Sequence, residues 1–417
     1  MVSLHKLGID EYGRGRETVS IFVGPNGSGK SSLLLEIADR YRFGRSVTII
    51  CNTPHDRFVG LRRVKRISVG RRDQSPKVIV KNAVAEALDT GSEFFQISGI
   101  LKHCGYRPRF GFRIDASARY GISYDDLRDA EEYEVPDELQ ARGPGVPADD
   151  ENLHRALAFL QRHDPHEPIW IDATGSVLEF SLAREFSSVL RRESKLRAWR
   201  IIKGISVYLE RDQDRIEIEM HHASSGQLAL ISSLLYLITN VGEFPLILID
   251  EPENSLHPNW QREYVEKVLA ATTYRSATVL IATHAPLVVT GALSDSPDLV
   301  SVLEVRNGIA RRLELDSAQS PNSIEEILWR AFDVVTPANH FVSEEIVAAI
   351  ARFEAREIEK REVLHLIDRL NQESFDAKQK RFFEAVKTLV DKVEAARDTG
   401  ADYDDQVGGG AGARDDG

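Results

Sequence analysis

The sequence predicts an α/β chain built on an open mixed sheet, and three stretches carry that expectation. Thr18–Val23 is a short β-rich run, followed by a glycine-rich turn, a helical pattern and a second apolar run at 47–50. Residues 245–249 form another apolar run, which delivers two adjacent acids, Asp250 and Glu251. A third, 277–282, leads into Thr283-His284-Ala285. Strand, loop, helix, strand at this spacing is the pattern of a βαβ unit.

Each element follows from local pattern. In Lys30–Tyr41, Leu33, Leu34, Ile37, Ala38 and Tyr41 recur at helical spacing. Residues 57–72 carry seven basic side chains and no acid, and helical patterns follow at 78–88 and 93–103. The segment 124–151 reverses the charge, with eleven acids against Arg128 and Arg142, and its Pro/Gly-rich end reads as an exposed loop. An amphipathic helix, a strand at 168–171 and a helix at 181–195 come next. Alternating stretches then run from 205 to 220 about a hairpin turn at 212–214. The block 224–306 reads helix 226–239, strand 246–249, helix Pro258–Ala271, strand Thr278–Ala282 and a last strand at 299–305. Pro258 suits a first helical turn, where its missing N–H costs nothing. Beyond about 320 the pattern is helical, with Phe382, Phe383, Val386, Leu389, Val390 and Val393 on one stripe.

Composition excludes several classes. The chain has 417 residues, 42% hydrophobic and 28% charged, with 53 Lys+Arg against 65 Asp+Glu and a net charge of −12. That is the balance of a globular protein. Its longest apolar stretch, 228–238, is broken by Ser232 and Ser233 and is well short of the roughly 20 residues of a membrane span. The first residues lack the apolar core of a signal peptide. Two cysteines, Cys51 and Cys104, are too few and too far apart for a disulfide framework or zinc site. A cytoplasmic protein without membrane contact is expected. The acidic total argues against coating nucleic acid, while leaving a local basic site open.

Gly24-Pro25-Asn26-Gly27-Ser28-Gly29-Lys30-Ser31 fits G-x-x-x-x-G-K-[ST], a phosphate-binding loop between strand and helix. The glycines turn backbone N–H groups inward as an anion nest, and the helix start, with Ser32, adds its positive dipole end. Lys30 is expected on the β- and γ-phosphates of ATP and Ser31 on Mg²⁺. Asp250 is expected to hold the same Mg²⁺ through water, and Glu251 to act as general base toward water. His284, at the end of a neighbouring strand, is placed to sense the γ-phosphate.

With these motifs in this order the chain resembles the ABC-type P-loop ATPases. Ser224-Ser225-Gly226-Gln227 looks like a degenerate signature motif opening a helix, and Asp250–His257, DEPENSLH, resembles the run that follows the paired acids in that family. The resemblance implies an ATPase head at 1–310 with a helical insertion at about 105–220, a helical region at 311–400 and a disordered tail at 401–417. It further implies a homodimer or higher oligomer closed around ATP, with Ser224 and Gly226 of one copy on the γ-phosphate held by the other. Gln74 and Gln96 are candidates for the family's glutamine loop, without diagnostic context.

The interval between Lys30 and Ser224 holds no sustained heptad, which excludes a long coiled-coil arm. DEPENSLHP and ATHAP look more like the compact bacterial RecF-like and OLD-like group, and residues 52–58 resemble the ATPase subunits of Septu-type anti-phage systems. After residue 310 there is no strand-end E…D-x-D arrangement and no H-N-H cluster, so a nuclease is expected as a separate polypeptide. The expected function is therefore an ATP-gated partner to such an effector. A RecF-like ATPase clamping DNA directly is the alternative, and a transporter's nucleotide-binding subunit is a third reading. The basic run Arg57–Arg72 has two open readings, a track for DNA phosphates or a β-rich lobe whose charges point to solvent or pair with the acidic segment 124–151. Phe58 is a candidate for stacking on a base, against a core position.

Overall fold

A computed structural model describes residues 4–11, 17–53, 55–68, 75–90, 95–116, 151–164, 167–173, 180–313, 340–372, 383–384, 386–391 and 393–394. The acidic segment up to residue 150, Arg71, Arg72, Gln74, Phe382 and the tail from 401 lie outside these residues.

The head is organised on a seven-stranded sheet of order β11-β10-β1-β9-β8-β2-β3. Its strands are β1 (Thr18–Val23), β2 (Val47–Cys51), β3 (Lys65–Ser68), β8 (Leu246–Asp250), β9 (Thr278–Ala282), β10 (Val300–Arg306) and β11 (Ile309–Arg312). All pair in parallel except β11, which closes a hairpin on β10. The central strands are buried along almost their whole length and mostly apolar because both faces are covered, as in parallel sheets generally. Alternation sends Phe22, Ile49, Leu248 and Leu280 to one face, where α1 (Lys30–Tyr41) packs with Leu33, Leu34 and Ile37. Val19, Ile21, Ile247, Ile249, Val279 and Ile281 go to the other. There they meet α6 (Ser225–Asn240), α7 (Pro258–Ala271) and α8 (Pro286–Asp295) through Leu234, Val265 and Val288.

The insertion holds the two expected helices, α4 (Glu151–Arg162) and α5 (Phe180–Ala198), and the expected strand near 168–171 and hairpin about 212–214, which one further strand joins into a second sheet. Four antiparallel strands in the order β5-β4-β6-β7 are formed by β4 (Tyr106–Ala116), β5 (Ile169–Asp172), β6 (Ile202–Arg211) and β7 (Glu217–Glu219). The expectation of a helical insertion is thus corrected to a mixed α/β lobe. Phe110, Phe112 and Ile114 point inward at period two, and Phe186 of α5 lies edge-on to Phe112 at 5.4 Å between ring centroids. This lobe and the lower face of the large sheet share one core. α2 (Pro76–Thr90) is tied to α5 by a buried ion pair, Lys81 with Glu193, whose other oxygen accepts the Ile205 N–H at 3.0 Å. α3 (Phe95–His103) leads directly into β4.

The C-terminal region is helical where described, with α9 (His340–Glu354) and α10 (Lys360–Gln372). They bury Ile346, Phe353, Val363 and Ile367 with Phe383, Val386 and Val390 in a separate cluster. Among the described residues, no helix is long and apolar enough to cross a membrane.

Candidate nucleotide site

The site is assembled by strand register. Phe22 and Asp250 both pair with Ala282, and Cys51 pairs with Asp250, so β1, β9, β8 and β2 end in one row. The loops that leave this row are those carrying the sequence motifs. Ligands in open α/β sheets bind at such carboxyl ends.

The loop after β1 is a glycine cradle. Gly24, Gly27 and Gly29 have φ of 144°, 81° and 100°, values that L side chains rarely adopt. At Gly24 an added Cβ would meet the Val305 carbonyl oxygen at 2.6 Å. Pro25, Asn26 and Gly27 are exposed, whereas the Ser28 Oγ is buried without a hydrogen-bond partner among the described residues. Lys30 is buried, and its ammonium donates to the carbonyls of Gly24 at 2.8 Å and Pro25 at 3.2 Å. Burial lowers the Lys30 pKa, opposed by the nearby Glu251, Glu253 and Asp250 carboxylates. A single cation inside three acids, resting on loop carbonyls, is ready to take a phosphate oxygen.

Ser31 donates its hydroxyl to Asp250 Oδ1 at 2.8 Å across the sheet top. Burial raises Asp250 and the Ser31 hydrogen bond opposes that shift. Hydroxyl and carboxylate oxygens are the hard donors that Mg²⁺ takes beside substrate phosphates, so this pair fits that ion. Beside them Arg57 Nη1 donates to Ser32 Oγ at 2.9 Å, bringing a second cation to the start of α1.

Glu251 takes a left-handed backbone conformation, φ 52°, which costs a non-glycine residue about 1–2 kcal/mol. Its N–H bonds the Ala282 carbonyl at 2.9 Å. Burial, then repulsion from Glu253, push its carboxyl up to about 7, against the pull of His284 and Lys30. A carboxylate titrating near neutrality is suited to general-base work. His284 Nδ1 contacts Glu251 Oε2 and lies 3.0 Å from Glu253 Oε1. These three side chains also meet the geometry of a metal-binding trio.

The remaining sequence candidates sit elsewhere on these elements. Ser224 caps α6: its Oγ accepts the Gln227 N–H at 3.2 Å while Gln227 Oε1 accepts the Ser224 N–H at 3.1 Å. This is a capping box at an exposed helix start. Gly226 is buried against its own chain, where an added Cβ would lie 2.2 Å from the Ser255 carbonyl oxygen. His257 caps α7, its Nδ1 accepting the Asn259 N–H at 3.3 Å. Phe58 is fully buried in the core and is not open to a base. In the basic run, Arg62 and Arg63 are exposed, Arg66 pairs with Asp56 at 3.4 Å and Lys65 donates to the Asn240 carbonyl at 2.5 Å.

Sequence reasoning missed Glu253 and the Asn307-Gly308 turn. The second left a signal: Asn-Gly between β-rich runs marks a type I′ hairpin, and both residues have positive φ, 51° and 76°. The Gly308 N–H donates to the Ser28 carbonyl at 2.8 Å, bracing the cradle from the sheet edge. Glu253 left none, since one acid among the polar residues after a strand reads as solvated.

Comparison with known proteins finds partial matches. Residues 104–290 match the family described as AAA domain, putative AbiEii toxin, Type IV TA system. This is a P-loop ATPase fold. The matched span includes Ser224, Asp250, Glu251 and His284 and begins after the glycine cradle. The chain is 29% identical over 150 residues to the Retron Vc95 probable ATPase of Vibrio cholerae serotype O1 biovar El Tor, a match covering 33% of this chain and 28% of that protein. It is 33% identical over 75 residues to Protein ea59 of Escherichia phage lambda, covering 18% of this chain and 14% of that protein. The matched stretches thus span less than a third of either relative.

Proposed function

We propose that this chain binds and hydrolyses ATP with Mg²⁺, dimerises around the nucleotide, and uses the resulting change of state to gate a separate effector, a nuclease in defence against phage. The observation that carries the reading is the Ser31–Asp250 hydrogen bond, which joins the glycine cradle to the paired acids at one end of one sheet. The retron relative and the toxin–antitoxin family description support a place in defence.

In this reading the inward N–H groups of the cradle and Lys30 hold the phosphates, and Ser31 and Asp250 hold the metal. Bound Mg²⁺ supplies charge neutralisation on the transferring phosphoryl group. Glu251, when ionised, accepts a proton from water. His284 contacts the γ-phosphate from the neighbouring strand end. Ser224 and Gly226 approach the γ-phosphate of a second copy at the start of α6, where helix N–H groups favour anions.

The test is the mass of the Glu251→Gln protein with and without ATP-Mg²⁺, together with ATP binding by Lys30→Ala. An ATP-stabilised dimer that co-purifies with a nuclease-like subunit, and loss of nucleotide binding in Lys30→Ala, are the expected results. Normal turnover by Glu251→Gln refutes the assignment of the base, and a monomer indifferent to ATP refutes the role given to Ser224.

A further inference from the structure

Glu253 lies in the loop after β8 and is 6% exposed. Its Oε1 accepts the backbone N–H of His284 at 2.7 Å and stands 3.0 Å from the Nδ1 of the same residue. One carboxylate oxygen thus hydrogen-bonds the backbone of His284 and stands beside its ring, linking the loops that follow β8 and β9. Its second oxygen, Oε2, is buried and has no hydrogen-bond partner among the described residues. Nor does the hydroxyl of the fully buried Tyr264 on α7, whose pKa is raised by burial and by the Glu253 charge.

Burying a carboxylate with one bare oxygen is costly, and an apolar residue would fill the loop without that cost. The arrangement makes physical sense if the charge orients something. Nδ1 of His284 lies against two carboxylates, Glu251 Oε2 and Glu253 Oε1, and their negative charge favours the tautomer that carries its proton on that nitrogen. The side chain is 43% exposed, and Nε2 is the nitrogen left for a ligand.

We infer that Glu253 is a positioning residue for His284, fixing its backbone and its tautomer so that Nε2 is the nitrogen presented to the nucleotide. This rests on the ATPase reading above, with His284 at the γ-phosphate. Glu253 contacts no reacting atom in this role and acts wholly through His284. The analogous partners that orient metal-bound histidines show how much such support contributes to function.

The test uses the full-length, metal-free chain with ¹⁵N-labelled histidine, the His284 signals being identified by their loss in His284→Ala. In the wild type, Nδ1 is expected to be the protonated nitrogen, and Glu253→Gln, which keeps the size but loses the charge, is expected to move that signal. In steady-state kinetics Glu253→Gln should lower kcat by ~10-fold or more with KM little changed. In the His284→Ala background the same substitution should cause no further loss. A bare Nδ1 in the wild type, a signal indifferent to Glu253→Gln, or equal losses with and without His284 would each overturn the inference. An active ATPase with an indifferent Nδ1 refutes this inference alone. A chain that neither binds nor hydrolyses ATP, yet has an Nδ1 signal dependent on Glu253, refutes the ATPase reading and the sensor role with it.

Discussion

Gly226 offers a direct test of how tightly the start of α6 is held. Replacing it with alanine would place a methyl carbon 2.2 Å from the Ser255 carbonyl oxygen and 3.4 Å from the Trp260 ring. A carbon–oxygen contact relaxes at about 3.3 Å, so the helix start and the 255 loop must part by about 1 Å. Overpacking of this kind costs about 1–3 kcal/mol, and alanine returns up to ~1 kcal/mol of helix propensity. The expected net loss is about 1–2 kcal/mol, a fall of a few degrees in Tm that leaves the protein folded. The displacement matters more for chemistry: a 1 Å error in a positioned group lowers turnover on the order of 10²-fold. Differential scanning fluorimetry and steady-state ATPase assays of Gly226→Ala, with ATP binding measured separately, read the two effects. Lower Tm, intact ATP binding and strongly reduced kcat are expected. A lower Tm with unchanged kcat would refute the role of the α6 start in hydrolysis, and no change in either would refute the close approach itself.

Other perturbations follow from the same geometry. Gly291→Ala would put Cβ 1.8 Å from the Arg262 carbonyl oxygen where α8 crosses α7, and should cost about 3 kcal/mol or more. Gly99→Ala, in α3 with nothing within 4 Å, should instead stabilise by up to ~1 kcal/mol; a urea midpoint that rises for Gly291→Ala or falls for Gly99→Ala would contradict the corresponding assignment. Lys81→Met should cost about 3 kcal/mol at neutral pH by stranding Glu193. Burial lowers Lys81 from 10.5 to about 8, so the unfolded chain binds the extra proton between those values. Wild-type stability should therefore rise relative to Lys81→Met as pH increases from 8 to 10.5, and a difference that falls over this range would be the wrong sign. Because Glu251 titrates at about 7, ATP turnover should rise through neutrality, by about tenfold from pH 6 to pH 8. A flat profile would remove Glu251 as the titrating base.

Much of the sheet was legible because buried parallel strands leave β-rich, largely apolar runs, as in Thr18–Val23 and Thr278–Ala282. The helix Lys30–Tyr41 was read to the residue, since its glycine start and apolar spacing agree. β4 was missed although Phe110, Phe112 and Ile114 alternate with Arg109, Gly111 and Arg113. Its partners β5 and β6 lie far along the chain, and no local turn announces the pairing. β3 was hidden by its own charges, with Lys65 and Arg66 opening a strand of four residues. At the site, the cradle and the acids were visible as motifs because each needs particular residue types in sequence. Glu253 was not, because its significance is a hydrogen bond to a residue on another strand.

Those charges on β3 have a counterpart at the far side of the sheet. The two open borders, β3 and β11, are both four residues long, and they carry Lys65-Arg66 and Arg311-Arg312. Unpaired border strands invite annealing with another molecule, and short, positively charged ones discourage it. On a chain with a net charge of −12 these borders stand out as locally basic, even with Arg66 paired to Asp56. Such short, charged borders disfavour sheet extension, so any association of two copies is expected on surfaces whose backbone groups are already satisfied.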